Sequence, residues 1–119
     1  APMDAHFDDL NVAQPDIFWV SSENEKCKLG DDGYWYGPPD RVVEVLSPGT
    51  TRQDKVIKFA LYERYGVREY WIADPAYQNI EVWTLADGRY TRLGLFREGD
   101  CFISPVLNQP VDVSAIFAA

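Results

Sequence analysis

A chain of 119 residues has room for one domain, and its 46% hydrophobic and 14% aromatic residues suffice for a core without disulfides or a structural metal. Eleven Lys and Arg against nineteen Asp and Glu leave a net charge of −8, which disfavours nucleic acid as a broad electrostatic partner and leaves room only for a local site. Apolar runs such as Ile17 to Val20 fall far short of the roughly 20 residues a membrane-crossing helix needs, and no secretory leader is visible, so a cytoplasmic, non-membrane placement is expected.

Met3 is followed by a polar, acidic opening with no helical or strand period. Val12 to Val20 reads as a strand, with Pro15 tolerable near its start. Ser21 to Pro39 reads as a loop rich in Gly, Asp and Ser, and its aromatics Tyr34, Trp35 and Tyr36 are expected to fold part of it back onto the body. Arg41 to Leu46 is a β-branched strand stopped by Ser47-Pro48-Gly49. A helix follows, opened by Thr51 with Asp54 as a capping box and closed by Gly66. Within it Val56, Ile57, Ala60, Leu61 and Tyr65 recur at helical spacing as an apolar stripe.

Glu69 to Asp74 is the next strand, closed by a turn at Asp74-Pro75. Ile80 to Leu85 and Arg89 to Leu95 form a hairpin around Asp87-Gly88, a strong turn signal. The end holds a short strand at Cys101 to Ile103 and a last helical turn at Val113 to Phe117. A strand–strand–helix–strand–hairpin order predicts an α/β fold with a mixed sheet and one main helix.

Charge is unevenly spread. Residues 1–51 carry net −7, residues 52–68 net +3 and the remainder net −4. The basic segment is either a solvated helix face or a phosphate-facing surface beside acidic metal ligands. Cys27 and Cys101 form no CxxC pair and read as reduced thiols; with the single His6 they fall short of a zinc ligand set. Any metal here should be a hard cation held by carboxylates.

Asp16, Glu44 and Lys58 stand out. A carboxylate inside an apolar strand is costly unless it is paired or metal-bound. Two acids from neighbouring strands can converge on one Mg²⁺, and a nearby lysine can orient water and offset charge at phosphorus. Each residue also has a structural alternative. Glu44 could bond Arg41 or Arg52, Asp16 could be a strand-entry residue, and Lys58 could pair with Asp54 one turn away. Lys55 and Arg52 read as solvent-facing, with steering of phosphate as the alternative, while Tyr62, Tyr65, Trp71, Trp19 and Trp83 read as core aromatics.

Pro15-Asp16-Ile17, then Gly37-Pro38-Pro39-Asp40-Arg41-Val42-Val43-Glu44-Val45-Leu46-Ser47-Pro48, resembles the core of the Uma-two family of restriction endonuclease-like proteins. The resemblance runs on through Asp54, Lys58 and Tyr62 at four-residue steps and Gly66-Val67-Arg68-Glu69-Tyr70-Trp71-Ile72-Ala73-Asp74-Pro75. It implies the PD-(D/E)XK nuclease fold, a mixed sheet flanked by helices, and an endonuclease hydrolysing DNA with Mg²⁺ or Mn²⁺. It also implies that Asp16 is the first acid, Glu44 the second, and the Val45 carbonyl a further metal ligand. The usual lysine position, two beyond the second acid, is Leu46 here, so Lys58 takes the role of a lysine displaced to the helix. Asp40 recurs in the family pattern as well, shaping entry to the strand.

Members of that family carry a further N-terminal segment, often with another acid. Residues 1–119 are therefore expected to form a single, N-terminally incomplete domain whose exposed sheet edge a homodimer would cover. The net charge and the missing segment favour the alternative of a catalytically silent nuclease-fold domain serving protein association. Four Trp and seven Tyr prompt a third reading, a sugar-binding β module.

Overall fold

The computed structural model describes residues 5–7, 12–13 and 16–117. Its longest apolar strands gather in one sheet. In chain order the strands before the helix are β1 (Ala5–His6), β2 (Val12–Ala13), β3 (Ile17–Trp19), β4 (Lys28–Leu29), β5 (Trp35–Tyr36) and β6 (Arg41–Val45). Then come α1 (Arg52–Arg64), β7 (Glu69–Asp74), β8 (Asn79–Ala86), β9 (Arg89–Arg97), β10 (Cys101–Ser104), β11 (Gln109–Asp112) and α2 (Val113–Phe117).

The main sheet has the order β3-β6-β7-β8-β9. Within this sheet β6 and β7 run parallel and the other described pairs antiparallel, and α1 makes the crossover that the parallel pair requires. The mixed sheet with one main helix is thus the expected architecture. Two small sheets flank it, β2-β1-β5-β4 and the β10–β11 hairpin.

Local chemistry explains the boundaries. Thr51 and Asp54 form the reciprocal capping box, each side chain accepting from the other's backbone N–H at 3.1 Å. Gly66, at φ 80°, follows the helix where a left-handed residue is needed. The β8–β9 turn places Asp87 at φ 52° and Gly88 at φ 77°, the left-handed pair that a two-residue hairpin demands.

Strand alternation divides the core between two faces. Val42, Tyr70 and Ile72 join Tyr62 and Val67 under α1, with Phe59 edge-on to Trp83 at 4.9 Å and to Tyr90 at 5.2 Å. Val43, Trp71 and Ala73 face the other way, onto Ile80, Val82, Phe102 and Val113. Glu69 lies on this second face with no exposed surface. Its carboxylate accepts from Trp71 Nε1 at 2.9 Å and from the Val106 N–H at 3.4 Å, and Ser104 Oγ lies 2.8 and 3.0 Å from its two oxygens. These bonds tie the β10–β11 hairpin to the main sheet, beneath an Arg41 guanidinium stacked 4.7 Å over Trp71.

Several expectations are corrected. The single strand over 12–20 is two strands in different sheets, and Pro15 lies outside the described residues. The loop after Ser21 contains the β4–β5 pair, whose two-residue strands are too short to show a period. Trp35 does fold back, edge-on to Phe18 at 5.7 Å. Strand β11 was not anticipated.

The largest correction concerns α1. Val56 is 61% exposed and Ile57 56%, and Ala60 also faces solvent, while Phe59 and Tyr62 turn inward together with Lys58. Leu61 and Tyr65, the rest of the expected stripe, do pack against the core, so the expectation fails at Val56, Ile57 and Ala60 and holds further along the helix.

Candidate functional site

Strand β6 alternates, so Val42 and Glu44 point toward α1. Val42 seats in the core there. Glu44, one strand step further, is buried to 5% exposure at the mouth of that core. Two helix residues at i, i+4 reach it. Lys58 Nζ donates to Oε2 at 3.0 Å and the Tyr62 hydroxyl to Oε1 at 2.5 Å. Lys58 stays half-exposed, so the ion pair has one solvated and one buried member.

Asp16 approaches from the other side. Strands β3 and β6 are antiparallel with Ile17 opposite Val43, and continuing that register by one residue sets Asp16 opposite Glu44. Its Oδ2 accepts from the Val45 N–H at 2.7 Å, which pins the carboxylate to the end of β6. Like charges facing each other across a strand pair are destabilising unless something positive lies between them.

The electrostatics agree. Burial pushes the Glu44 carboxyl above its ordinary value, and the Asp16 charge adds to the rise; the Tyr62 and Lys58 hydrogen bonds pull against it. Burial, then the Glu44 charge, drives the Tyr62 hydroxyl up, so it remains a donor.

Two carboxylates stand close at the end of β6, and oxygen donors of this kind suit a hard cation, with the Glu44 oxygens also held by Lys58 and Tyr62. Among the described residues no cluster of three or more His, Cys, Asp or Glu side chains could hold a metal. A metal here would therefore rest on Asp16, Glu44, the Val45 carbonyl and water.

The structure brings Asp16, Glu44, Val45 and Lys58 together. Arg41 and Arg52 are not partners of Glu44, and Asp54 is engaged in the helix cap. Asp40 is a structural hub, accepting from the Ser21 N–H, Asn24 Nδ2 and Arg68. Sequence reasoning placed Tyr62 in the core, where it is, but missed its bond to Glu44; its place one turn after Lys58 was the available signal. Both cysteines are free, and burial followed by the Asp40 charge pushes the Cys27 thiol up to about 11.

The chain matches a family model described as "Uma2: Putative restriction endonuclease" over residues 2–114. A solved structure from Anabaena variabilis, described as a "putative nuclease belonging to DUF820", superposes with a TM-score of 0.72 at 18% identity. The match covers 98% of this chain and 65% of that one, so the chain spans just under two thirds of that structure's length. No curated protein matches the sequence. The likeness establishes a nuclease-like fold. No helix among the described residues is long and apolar enough to cross a membrane.

Proposed function

Because this chain belongs to the Uma2 restriction endonuclease-like family, we propose that it is a metal-dependent endonuclease hydrolysing phosphodiester bonds in DNA. Family and fold support an endonuclease in general. One observation carries the finer reading: an acid and a lysine distant in sequence both reach the end of β6, Asp16 at the Val45 amide and Lys58 at Glu44.

Asp16, Glu44 and the Val45 carbonyl would hold Mg²⁺, or Mn²⁺ in its place. Bound there, the ion supplies a lowered water pKa and positive charge for the phosphoryl oxygens. The chain's own groups do the rest. Lys58 Nζ carries only donors, so it orients an attacking water and offsets negative charge growing at phosphorus. Tyr62 fixes the second oxygen of Glu44, so the carboxylate keeps one orientation.

Calorimetric titration with Mn²⁺ tests the site. The wild-type chain is expected to bind, and Glu44→Ala and Asp16→Ala to lose binding. Lys58→Ala should keep Mn²⁺ affinity yet lower DNA cleavage by about 100-fold or more. A Lys58→Ala protein cleaving at the wild-type rate would remove the lysine from the mechanism.

The exposure of Val56 and Ile57 favours a second reading, a silent nuclease-fold domain that associates through the outer face of α1. It predicts a folded chain that takes up no Mn²⁺ and whose association, followed by sedimentation, is lost in Ile57→Lys.

A further inference from the structure

Beyond the metal ligands, an open cleft of about 750 Å³ lies at the carboxyl ends of β6 and β7. One wall is the segment that directly follows Glu44 and Val45: Leu46, Ser47, Pro48 and Thr50. The other is the β7–β8 turn, with Pro75 and Tyr77, and Lys55 of α1 also lines it. The two walls adjoin, since the Leu46 N–H donates to the Ala73 carbonyl at 2.8 Å. In sheets with parallel strands this end is where ligands bind.

The first wall is rigid. Thr50 Oγ1 accepts from the Ser47 N–H at 3.0 Å, while the Thr50 N–H donates to the Ser47 carbonyl at 2.9 Å, closing the turn from both sides. On the second wall Tyr77 is 79% exposed, the highest value among the exposed large apolar and aromatic residues. An aromatic ring held in water beside a cleft has no core to serve. Asp74, a carboxylate that lines the cleft, uses Oδ1 to accept from the N–H groups of Ala76 and Tyr77 at 3.0 and 3.4 Å, which fixes the turn carrying the ring. Lys55 sits one helical turn before Lys58 on the same side of α1, roughly 5–6 Å away. That step suits neighbouring phosphates on one strand.

We infer that this cleft holds an unpaired stretch of the DNA strand beside the scissile phosphate, with Tyr77 stacking on a base and Lys55 meeting the adjoining phosphate. The inference rests on the endonuclease reading and narrows its substrate to single-stranded or frayed DNA. Stacking needs a base whose face is free, which a closed duplex does not offer. In a chain of net charge −8 the phosphate contacts would come from the one basic segment, residues 52–68, which contains Lys55 and Lys58.

Fluorescence anisotropy with a short labelled single-stranded oligonucleotide, in Ca²⁺ across a salt series, tests it. Tyr77→Ala should weaken binding about tenfold and Tyr77→Phe should restore it, since the ring and not the hydroxyl stacks. Lys55→Ala should lower the salt slope by about one. Wild-type affinity in Tyr77→Ala would overturn the subsite and leave the endonuclease reading standing. Binding of a blunt duplex but not of the single strand would overturn the subsite alone, and failure of the wild-type chain to bind either would overturn both.

Discussion

Glu44 and Glu69 are buried on adjacent strands of one sheet, on opposite faces, and their surroundings differ in kind. Glu69 is fully enclosed and saturated by neutral donors from Trp71, Ser104 and Val106. Glu44 meets a half-exposed lysine and a tyrosine, and a second carboxylate faces it across the strand pair. Burial raises its pKa with incomplete compensation. A carboxylate that only holds a fold together is closed off by donors that need nothing further. One whose pKa stays raised and which faces another acid across the strand pair is a group that a cation would stabilise.

The largest effect that could break this contrast is at Glu69. Glu69→Ala strips the acceptor from the buried Trp71 Nε1 and Ser104 Oγ and from the part-buried Val106 N–H, and removes a negative charge that favours the charged form of Arg41. Each orphaned donor costs about 1–3 kcal/mol, so a loss of about 3–5 kcal/mol in urea unfolding is expected. Mn²⁺ uptake by the protein that remains folded should be unchanged. A loss under about 1 kcal/mol would show that the sealed shell around Glu69 is not what holds the β10–β11 hairpin.

Glu44→Gln sharpens the contrast through pH. The folded carboxyl lies above its ordinary value of 4.5, so the folded state holds this proton more tightly than the unfolded chain does. Its contribution to stability is full below pH 4.5 and is lost as pH rises through the raised folded value. Asp32 and Asp54 act in the opposite sense, because hydrogen bonds from Tyr36 and from Thr51 lower their pKa values. Comparing wild type with Glu44→Gln cancels those terms. The wild-type advantage should shrink as pH rises from 4.5 toward neutrality. Added Mn²⁺ should reverse the trend in the wild type alone, since it binds the deprotonated form. A pH-independent difference would mean that the fold does not raise the Glu44 carboxyl.

What the sequence shows of all this follows from the range of each signal. The β6 run Arg41–Val45, the Thr51–Asp54 cap and the Asp87-Gly88 turn are local, so their residues announce them. Asp16, Glu44 and Lys58 stand out by residue type and the family resemblance groups them, but the sequence says nothing of how β3 and β6 pair. The rotation of α1 is only partly legible: Leu61 and Tyr65 pack on the core as their spacing suggests, Val56 and Ile57 do not, and the carboxylate that Lys58 meets lies 14 residues upstream. Glu69 reads as an ordinary strand acid because its partner Ser104 lies 35 residues away, on a hairpin with only half its strands apparent.

The smallest effect probes how far Tyr62 helps to set Glu44 apart. Tyr62→Phe keeps the ring packed at 5.0 Å from Tyr70 and removes only the hydroxyl that donates to Glu44. Stability should fall by about 1 kcal/mol, because Lys58 still satisfies the other oxygen near solvent. The informative readout is Mn²⁺ affinity against pH. That hydrogen bond is the largest of the effects lowering the Glu44 pKa, so its loss should raise the group further and move the binding midpoint to higher pH. At alkaline pH the two proteins should bind alike, since Glu44 is then deprotonated in both. A midpoint that stays put would make Tyr62 a core aromatic and nothing more. The difference between the two glutamates would then rest on burial, Asp16 and Lys58 alone.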